Sequence, residues 1–313
     1  LDRILISGVA GFLGYHLARL FLQENYQVIG VDNYLTGSRK NVTDLEVHEN
    51  FSFLYHDVTK PLYLEEKING ILHLACPASP VDYLKYPLET LRVCSAGTQN
   101  MLEIARTKSC RFILASTSEV YGDPKVNPQS EDYWGNVNPI GPRSVYDEGK
   151  RYAEALTMAY YRNQAVEIKI ARIFNTYGPR MRIEDGRVVS NFIVQALREE
   201  PLTVYGDGAQ TRSFCYVTDE IKGIYKLFQS QFTGPVNIGN AEETSVTTLA
   251  KLIIKLTNSK SDLYFTELPQ DDPQLRQPNI SLAQNLLGWN PETSLEKGLL
   301  ETIEYFKGVT SLS

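Results

Sequence analysis

Residues 4–23 read ILISGVAGFLGYHLARLFLQ, an apolar run, then glycines at three-residue spacing, then a stretch with the apolar period of a helix. The glycines are Gly8, Gly11 and Gly14. Glycine there lets the backbone approach a pyrophosphate, and the following helix aims free N–H groups and a positive dipole end at the same charge. Between a strand and an amphipathic helix, this spacing is the dinucleotide fingerprint. Asp32 closes the next apolar run, QVIGVD (27–32), where an acid accepts hydrogen bonds from an adenosine ribose. A carboxylate there repels a 2′-phosphate and favours NAD over NADP, although Arg39 and Lys40 stand close behind it.

The pattern continues outward. FSFLYHDV (51–58), GILHLA (70–75), RFILAST (111–117) and VEIKIARI (166–173) alternate with helix-length amphipathic segments. Several runs are apolar almost throughout, as parallel strands covered on both faces are. The expected fold is α/β, a Rossmann-type doubly wound parallel sheet with a smaller C-terminal α/β substrate-binding domain. Residues 1–175 are assigned to the NAD-binding domain, with 216–240 returning to its sheet through VTDEIKGIYKLF and PVNIG. Residues 176–215 and 241–313 are assigned to the second domain, with a short strand PLTVYG (201–206) and helices near 246–258 and 294–307. DDPQ (271–274) reads as a turn.

Composition narrows the function. The chain has 313 residues, 42% hydrophobic and 22% charged, enough for one large domain and a smaller one. A net charge of −6 and a pI near 5.4 count against nucleic acid as a partner. The four histidines never approach metal-ligand spacing and no Cys-x-x-Cys pair occurs, so no metal is expected. Cys76, Cys94, Cys110 and Cys215 read as reduced, buried thiols. No apolar run reaches the roughly 18 residues a membrane span needs. The chain opens directly on a strand, so neither a signal peptide nor a membrane partner is expected within it.

Chemistry enters with a Tyr-x-x-x-Lys pair. On a helix it sets phenol and ammonium on one face, one turn apart, and the ammonium favours the phenolate. With 19 tyrosines the chain contains this spacing at three places. Tyr121 and Lys125 are separated by Gly122 and Pro124, which makes a loop; Tyr63 and Lys67 lie on a short surface segment. Tyr146 and Lys150 open a long helix, VYDEGKRYAEALTMAYYRN, with Ser144 as its expected N-cap. That helix follows RFILAST, whose end, Thr117, meets the crevice at the carboxyl ends of the strands. Beyond Thr117 come Ser118 and Glu119. Arg172, Arg180, Arg182, Arg187 and Arg212 supply cations suited to a diphosphate, with Arg172 more plausibly a core ion pair because it lies within strand-like sequence.

Several longer stretches carry a family resemblance: STSEVYGDP, QSEDYWGNVNPIGPRSVYDEGKR, ARIFNTYGPRM, DGRVVSNFI, PLTVYGDGAQTRSF and DDPQLRQP. With GVAGFLG, they make the chain similar to the extended short-chain dehydrogenases/reductases over essentially its whole length. More narrowly, it resembles the UDP-glucuronic acid decarboxylases. The resemblance implies a Thr117/Tyr146/Lys150 triad, and NAD held by Gly8, Gly11, Phe12, Leu13, Gly14, Asp32, Asn33, Asp57, Val58, Leu74, Ala75, Tyr146, Lys150 and Thr176. It implies a UDP-sugar against Asn175, Arg180, Arg187, Asn191, Tyr205, Gln210, Arg212 and Arg276, and a homodimer through two helices per subunit. Three positions depart from the family pattern: Cys94 stands where Asn is usual, Val9 where Gly is common, and Cys215 where Gln is usual.

The implied reaction oxidises carbon 4 of the sugar, making a β-keto acid that loses carbon dioxide, and then reduces carbon 4 again. Glu119 and Ser118 are expected to face the sugar carboxylate. There Glu119 destabilises the charged ground state by repulsion, or one of the two acids takes up a proton. An acid paired with a nearby arginine purely for structure is the alternative. Arg276 is expected to grip the substrate carboxylate, a solvated loop charge being its alternative. Rival readings are a UDP-glucuronate 4-epimerase, a nucleotide-sugar 4,6-dehydratase, which would want Asp where Ser118 stands, and a non-catalytic NAD-bound scaffold. Reduced cysteines and a nucleotide-sugar substrate imply a cytoplasmic protein, or a Golgi-lumenal one if an anchor precedes residue 1.

Overall fold

The computed structural model describes residues 1–267 and 275–310, so the turn expected at 271–274 lies outside the described residues. Six parallel strands lie within the first 173 residues, with helices between them except from the third to the fourth. They are β1 (Arg3–Ser7), β2 (Gln27–Asp32), β3 (Phe51–Tyr55), β4 (Gly70–His73), β5 (Arg111–Thr117) and β6 (Ile168–Ile173). With the strand Pro235–Ile238 they form one seven-stranded sheet in the order β3–β2–β1–β4–β5–β6–(235–238). Strand Pro235–Ile238 pairs in parallel with β6, from Pro235 against Ile170 to Ile238 against Ile173.

Burial on both faces explains the nearly continuous apolar runs. In β1, Ile4 and Ile6 point into one core and Leu5 into the other. All three are fully buried, and each such side chain contributes about 2 kcal/mol by leaving water. Helices α1 (Phe12–Gln23) and α2 (Arg39–Leu45) follow β1 and β2. After β4 come α3 (Pro80–Lys85), α4 (Pro87–Arg92), a π-helical turn Val93–Gly97 and α5 (Thr98–Lys108). After β5 comes the 21-residue α6 (Ser144–Gln164).

Two strands stop earlier than their apolar runs. β3 ends at Tyr55, which pairs with Asp32, the last residue of β2; the His56 N–H makes the last bond, to the Asp32 carbonyl (3.1 Å). β4 ends at His73. The residues left over, Asp57, Val58, Leu74 and Ala75, become loop at the carboxyl edge of the sheet. Ser144 is the first residue of α6 rather than its cap: Arg143 holds the N-cap position and makes no side-chain capping bond.

The rest of the described chain makes no second large sheet. It pairs Leu202–Tyr205 with Leu263–Thr266, Thr211–Ser213 with Glu243–Ser245, and Cys215–Tyr216 with Thr176–Tyr177. Helices α7 (Val188–Leu197), α8 (Val217–Gln229) and α9 (Val246–Thr257), with the later helices Ser281–Leu287 and Leu295–Thr310, complete the fold. No helix among the described residues is long and apolar enough to cross a membrane.

Candidate active site

The sheet order reverses between β1 and β4, and a crevice opens there at the carboxyl ends of the strands, as in other open α/β sheets. Its floor is the glycine turn. Gly8 has φ +77°, a left-handed conformation, and a Cβ on it would lie 2.7 Å from the Ala75 nitrogen. A Cβ on Gly14 would lie 2.1 Å from the Gly8 carbonyl oxygen. The first turn of α1 has no side-chain cap, which leaves its N–H groups free to bond an anion.

Asp32 stands at one side with its carboxylate fixed by the N–H groups of Ala10 (3.0 Å) and Tyr34 (2.7 Å). Burial pushes its pKa up, partly offset by those bonds. Arg39 does not reach it: the guanidinium lies 4.7 Å from the centroid of the Tyr34 ring, on the outer side. Asp57 accepts from both the N–H and the hydroxyl of Thr59.

One cavity of about 920 Å³ runs from this cradle past β5 and α6 to α7 and the small β-pairs. Its walls include every residue assigned above to cofactor, catalysis or substrate. Thr117, Tyr146 and Lys150 meet at its middle, where β5 ends and α6 begins. All three are buried, and the Thr117 hydroxyl hydrogen-bonds the Tyr146 phenol. The Lys150 ammonium donates to the Ala115 carbonyl (2.8 Å) and lies 5.8 Å from the centroid of the Tyr146 ring.

The expected lowering of the Tyr146 pKa is not what the folded chain provides. Burial pushes that phenol well above its usual value, nearby Cys76 raises it further, and the Thr117 bond opposes them. Tyr83 of α3 lies flat against it, with centroids 5.0 Å apart and planes 7° apart.

Glu119 is held by two arginines. Arg143 donates to it at 2.7 Å and Arg276 at 3.2 Å. Burial would raise its pKa, but the charges of Arg276 and Arg143 win and bring it down to about 2. The two guanidinium groups therefore favour the ionised form of Glu119. Arg276 is no solvated loop charge: it is 1% exposed and also donates to the carbonyls of Ser118 and Gly122 (2.9 Å). Asp147, one residue past Tyr146, faces this cluster. Burial and the Glu119 charge raise its pKa to about 7, against the pull of Arg143 and Arg276.

The arginines assigned to a diphosphate separate in space. Arg187 is paired with Asp185 through two bonds (2.5 and 2.8 Å) and is braced at the substrate end with Asn191, which donates to the Gly186 carbonyl. Arg212 donates to the Thr211 carbonyl, and Gln210 to the Tyr205 carbonyl. Arg182 binds Asp82. Arg180 lines the cavity as well, pairing with Asp44 of α2 (2.5 Å) and lying 4.5 Å from the Tyr15 ring centroid of α1. Arg172 forms a two-bond pair with Glu154 and donates to the Tyr121 hydroxyl, the core pairing expected of it.

Arg143, Tyr83 and Asp147 escaped the sequence reading. Arg143 had a signal, since it lies three residues before Tyr146 at a helix start. Tyr83 had one too: Ser79 caps α3 and Pro80 begins it, marking a helix immediately after the β4 loop.

The family model described as GDP-mannose 4,6 dehydratase matches residues 5–302. UDP-glucuronic acid decarboxylase 1 of Xenopus tropicalis is 53% identical over 305 residues, covering 97% of this chain and 72% of that protein. UDP-glucuronic acid decarboxylase 3 of Arabidopsis thaliana is 53% identical over 298 residues, covering 95% of this chain and 86% of that protein. A crystal structure of UDP-glucuronic acid 4-epimerase from Bacillus cereus, in complex with UDP-glucuronic acid and NAD, superposes with a TM-score of 0.87. It is 30% identical and covers 98% of this chain and 99% of its own.

Proposed function

We propose, from the premise that this chain belongs to the UDP-glucuronic acid decarboxylases within that dehydratase family, that it converts UDP-glucuronate to UDP-xylose and carbon dioxide. The observation that carries this reading is a single cavity in which Thr117, Tyr146 and Lys150 lie between a glycine cradle and a wall of braced arginines. The cradle around Gly8 and Gly14 and the acid at Asp32 fit NAD. NAD, when bound there, would supply the hydride acceptor and donor for carbon 4 and a positive ring charge, which would make the cycle redox-neutral.

Tyr146 takes the proton of the 4-hydroxyl and Thr117 holds the same oxygen; the charges of Lys150 and of the bound cofactor ring are what would favour the phenolate against the burial that raises its pKa. The product is a 4-keto acid whose carboxylate lies β to the ketone. Its C–C bond breaks with the electron pair passing into an enolate, and carbon dioxide leaves. Glu119 stays a carboxylate, clasped by Arg143 and Arg276. Its fixed charge beside the sugar carboxylate favours departure of a neutral product. Arg276 is assigned to stabilise the enolate. Arg180, Arg187 and Arg212 with Asn175, Asn191, Tyr205 and Gln210 are assigned to the UDP end, Arg180 being braced by Asp44 and Tyr15 as Arg187 is by Asp185.

The epimerase rival is favoured by the more distant relative at 30% identity, against 53% for the decarboxylases. A homodimer is supported by Leu84, Leu88, Leu91 and Tyr152, large apolar side chains exposed on α3, α4 and α6. The return of Pro235–Ile238 to the main sheet supports domain limits at 1–175 with 216–240, and at 176–215 with 241–313. A proton NMR time course with UDP-glucuronate and catalytic NAD tests the function. UDP-xylose is expected; UDP-galacturonate would make the chain an epimerase, and an unchanged spectrum would contradict both.

A further inference from the structure

Two of the four cysteines meet beside the catalytic helix. The Sγ atoms of Cys76 and Cys94 lie 3.7 Å apart, although the two residues belong to different elements. Cys76 is in the loop after β4, is only partly buried, and lines the cavity between Ala75 and Pro77. Cys94 is buried on the π-helical turn Val93–Gly97. It packs on α6 at Gly149, between Tyr146 and Lys150: a Cβ there would lie 3.2 Å from the Cys94 sulfur.

We propose that Cys76 and Cys94 form a reversible redox switch, closing to a disulfide when a hydroperoxide enters the cavity and lowering turnover at the active site. The switch rests on the catalytic reading above. The Cys76 thiolate attacks the peroxide oxygen, giving a sulfenic acid and, for hydrogen peroxide, water once a proton is taken up. The Cys94 sulfur then displaces the hydroxyl, which leaves as a second water with the Cys94 proton. Two thiols are oxidised by two electrons and one peroxide is reduced.

The local charges suit the first step. Burial pushes the Cys76 thiol up, but the hydrogen bond with Cys94 and the charge of Lys150 bring it down to about 7. Closing the bond must draw the sulfurs to about 2.05 Å. The β4 loop and the π-helical turn must therefore approach each other, one lining the cofactor crevice and the other resting on α6. Reacting groups displaced by about 1 Å lose on the order of a hundredfold in rate.

The test treats the NAD-bound protein with hydrogen peroxide, maps the thiols by mass spectrometry, and follows UDP-xylose formation before and after dithiothreitol. Expected are a Cys76–Cys94 cross-linked peptide lighter by two hydrogens, a turnover loss of about tenfold or more, and recovery with the reductant. Cys94→Ser should show no cross-link, and its loss should resist dithiothreitol because Cys76 advances to the sulfinic acid. A cross-link without loss of turnover, oxidation of Cys76 with no bond to Cys94, or full recovery in Cys94→Ser would overturn the switch. The mapping does not depend on turnover, and the untreated sample tests the decarboxylase reading separately.

Discussion

The two ends of the cavity are built differently. The cofactor end is made of backbone: Gly8 and Gly14 leave room that a single methyl would fill, and the N–H groups of Ala10 and Tyr34 fix Asp32. The substrate end is made of charges, Arg187 on Asp185, Arg182 on Asp82, and Arg143 and Arg276 on Glu119. A backbone cradle is specified by a few consecutive residues. A charged wall draws most of its partners from distant parts of the chain, as with Arg276 and Glu119 or Arg182 and Asp82, although Arg187 and Asp185 are two residues apart, and the geometry of those distant pairs exists only after folding.

The largest effect falls where the two ends meet. Tyr146→Phe removes the phenol and should lower UDP-xylose formation about 10³-fold with NAD affinity nearly unchanged. A steady-state rate and an NAD titration check it; comparable losses in both would place Tyr146 in the cradle instead. Gly14→Ala should act at the cofactor end alone. Its Cβ meets the Gly8 carbonyl, which cannot step aside, so NAD affinity should fall about a hundredfold or more and the thermal midpoint with it. Unchanged affinity would mean the cradle is not where the pyrophosphate sits.

These two ends differed in how legible they were beforehand. The strands, the glycine turn and Asp32 could be read because apolar period and local spacing determine them. Every residue named for the site does line one cavity, yet the sequence could not say which arginine faces which acid. Arg180 looked like Arg187, and only folding braces the one with the Asp44 carboxylate and the Tyr15 ring and the other with Asp185. Arg143 went unnoticed because its partner, Glu119, lies across a loop and a helix start. The sulfur pair was hidden for the same reason: the π-helical turn that carries Cys94 toward Cys76 leaves no mark on composition.

Smaller effects sharpen the charged end. Glu119→Gln should let the 4-keto acid accumulate, slowing carbon dioxide release about tenfold more than oxidation. It should also cost stability, on the order of 3 kcal/mol, because Arg276 is left buried without its counter-charge. Equal slowing of both steps would reduce Glu119 to a structural clasp. The pH dependence gives its sign independently. The Glu119 pKa is lowered, so its contribution to stability is present above the unfolded value of 4.5 and is lost as pH falls toward about 2.

Asp147 has the opposite sign. Its folded value of about 7 exceeds the unfolded 3.8, so the folded state binds the extra proton and stability falls as pH rises between them. Asp147→Asn should flatten that fall in urea titrations from pH 4 to pH 7; an unchanged slope would assign it to other groups.

The most direct test of the whole arrangement uses UDP-glucuronate carrying deuterium at carbon 4, with catalytic NAD. If one cavity oxidises and re-reduces the same carbon, the UDP-xylose formed keeps its deuterium at carbon 4 and no NADH accumulates. UDP-xylose without the label, or NADH rising with product, would show that the hydride does not return within the site and would contradict the account.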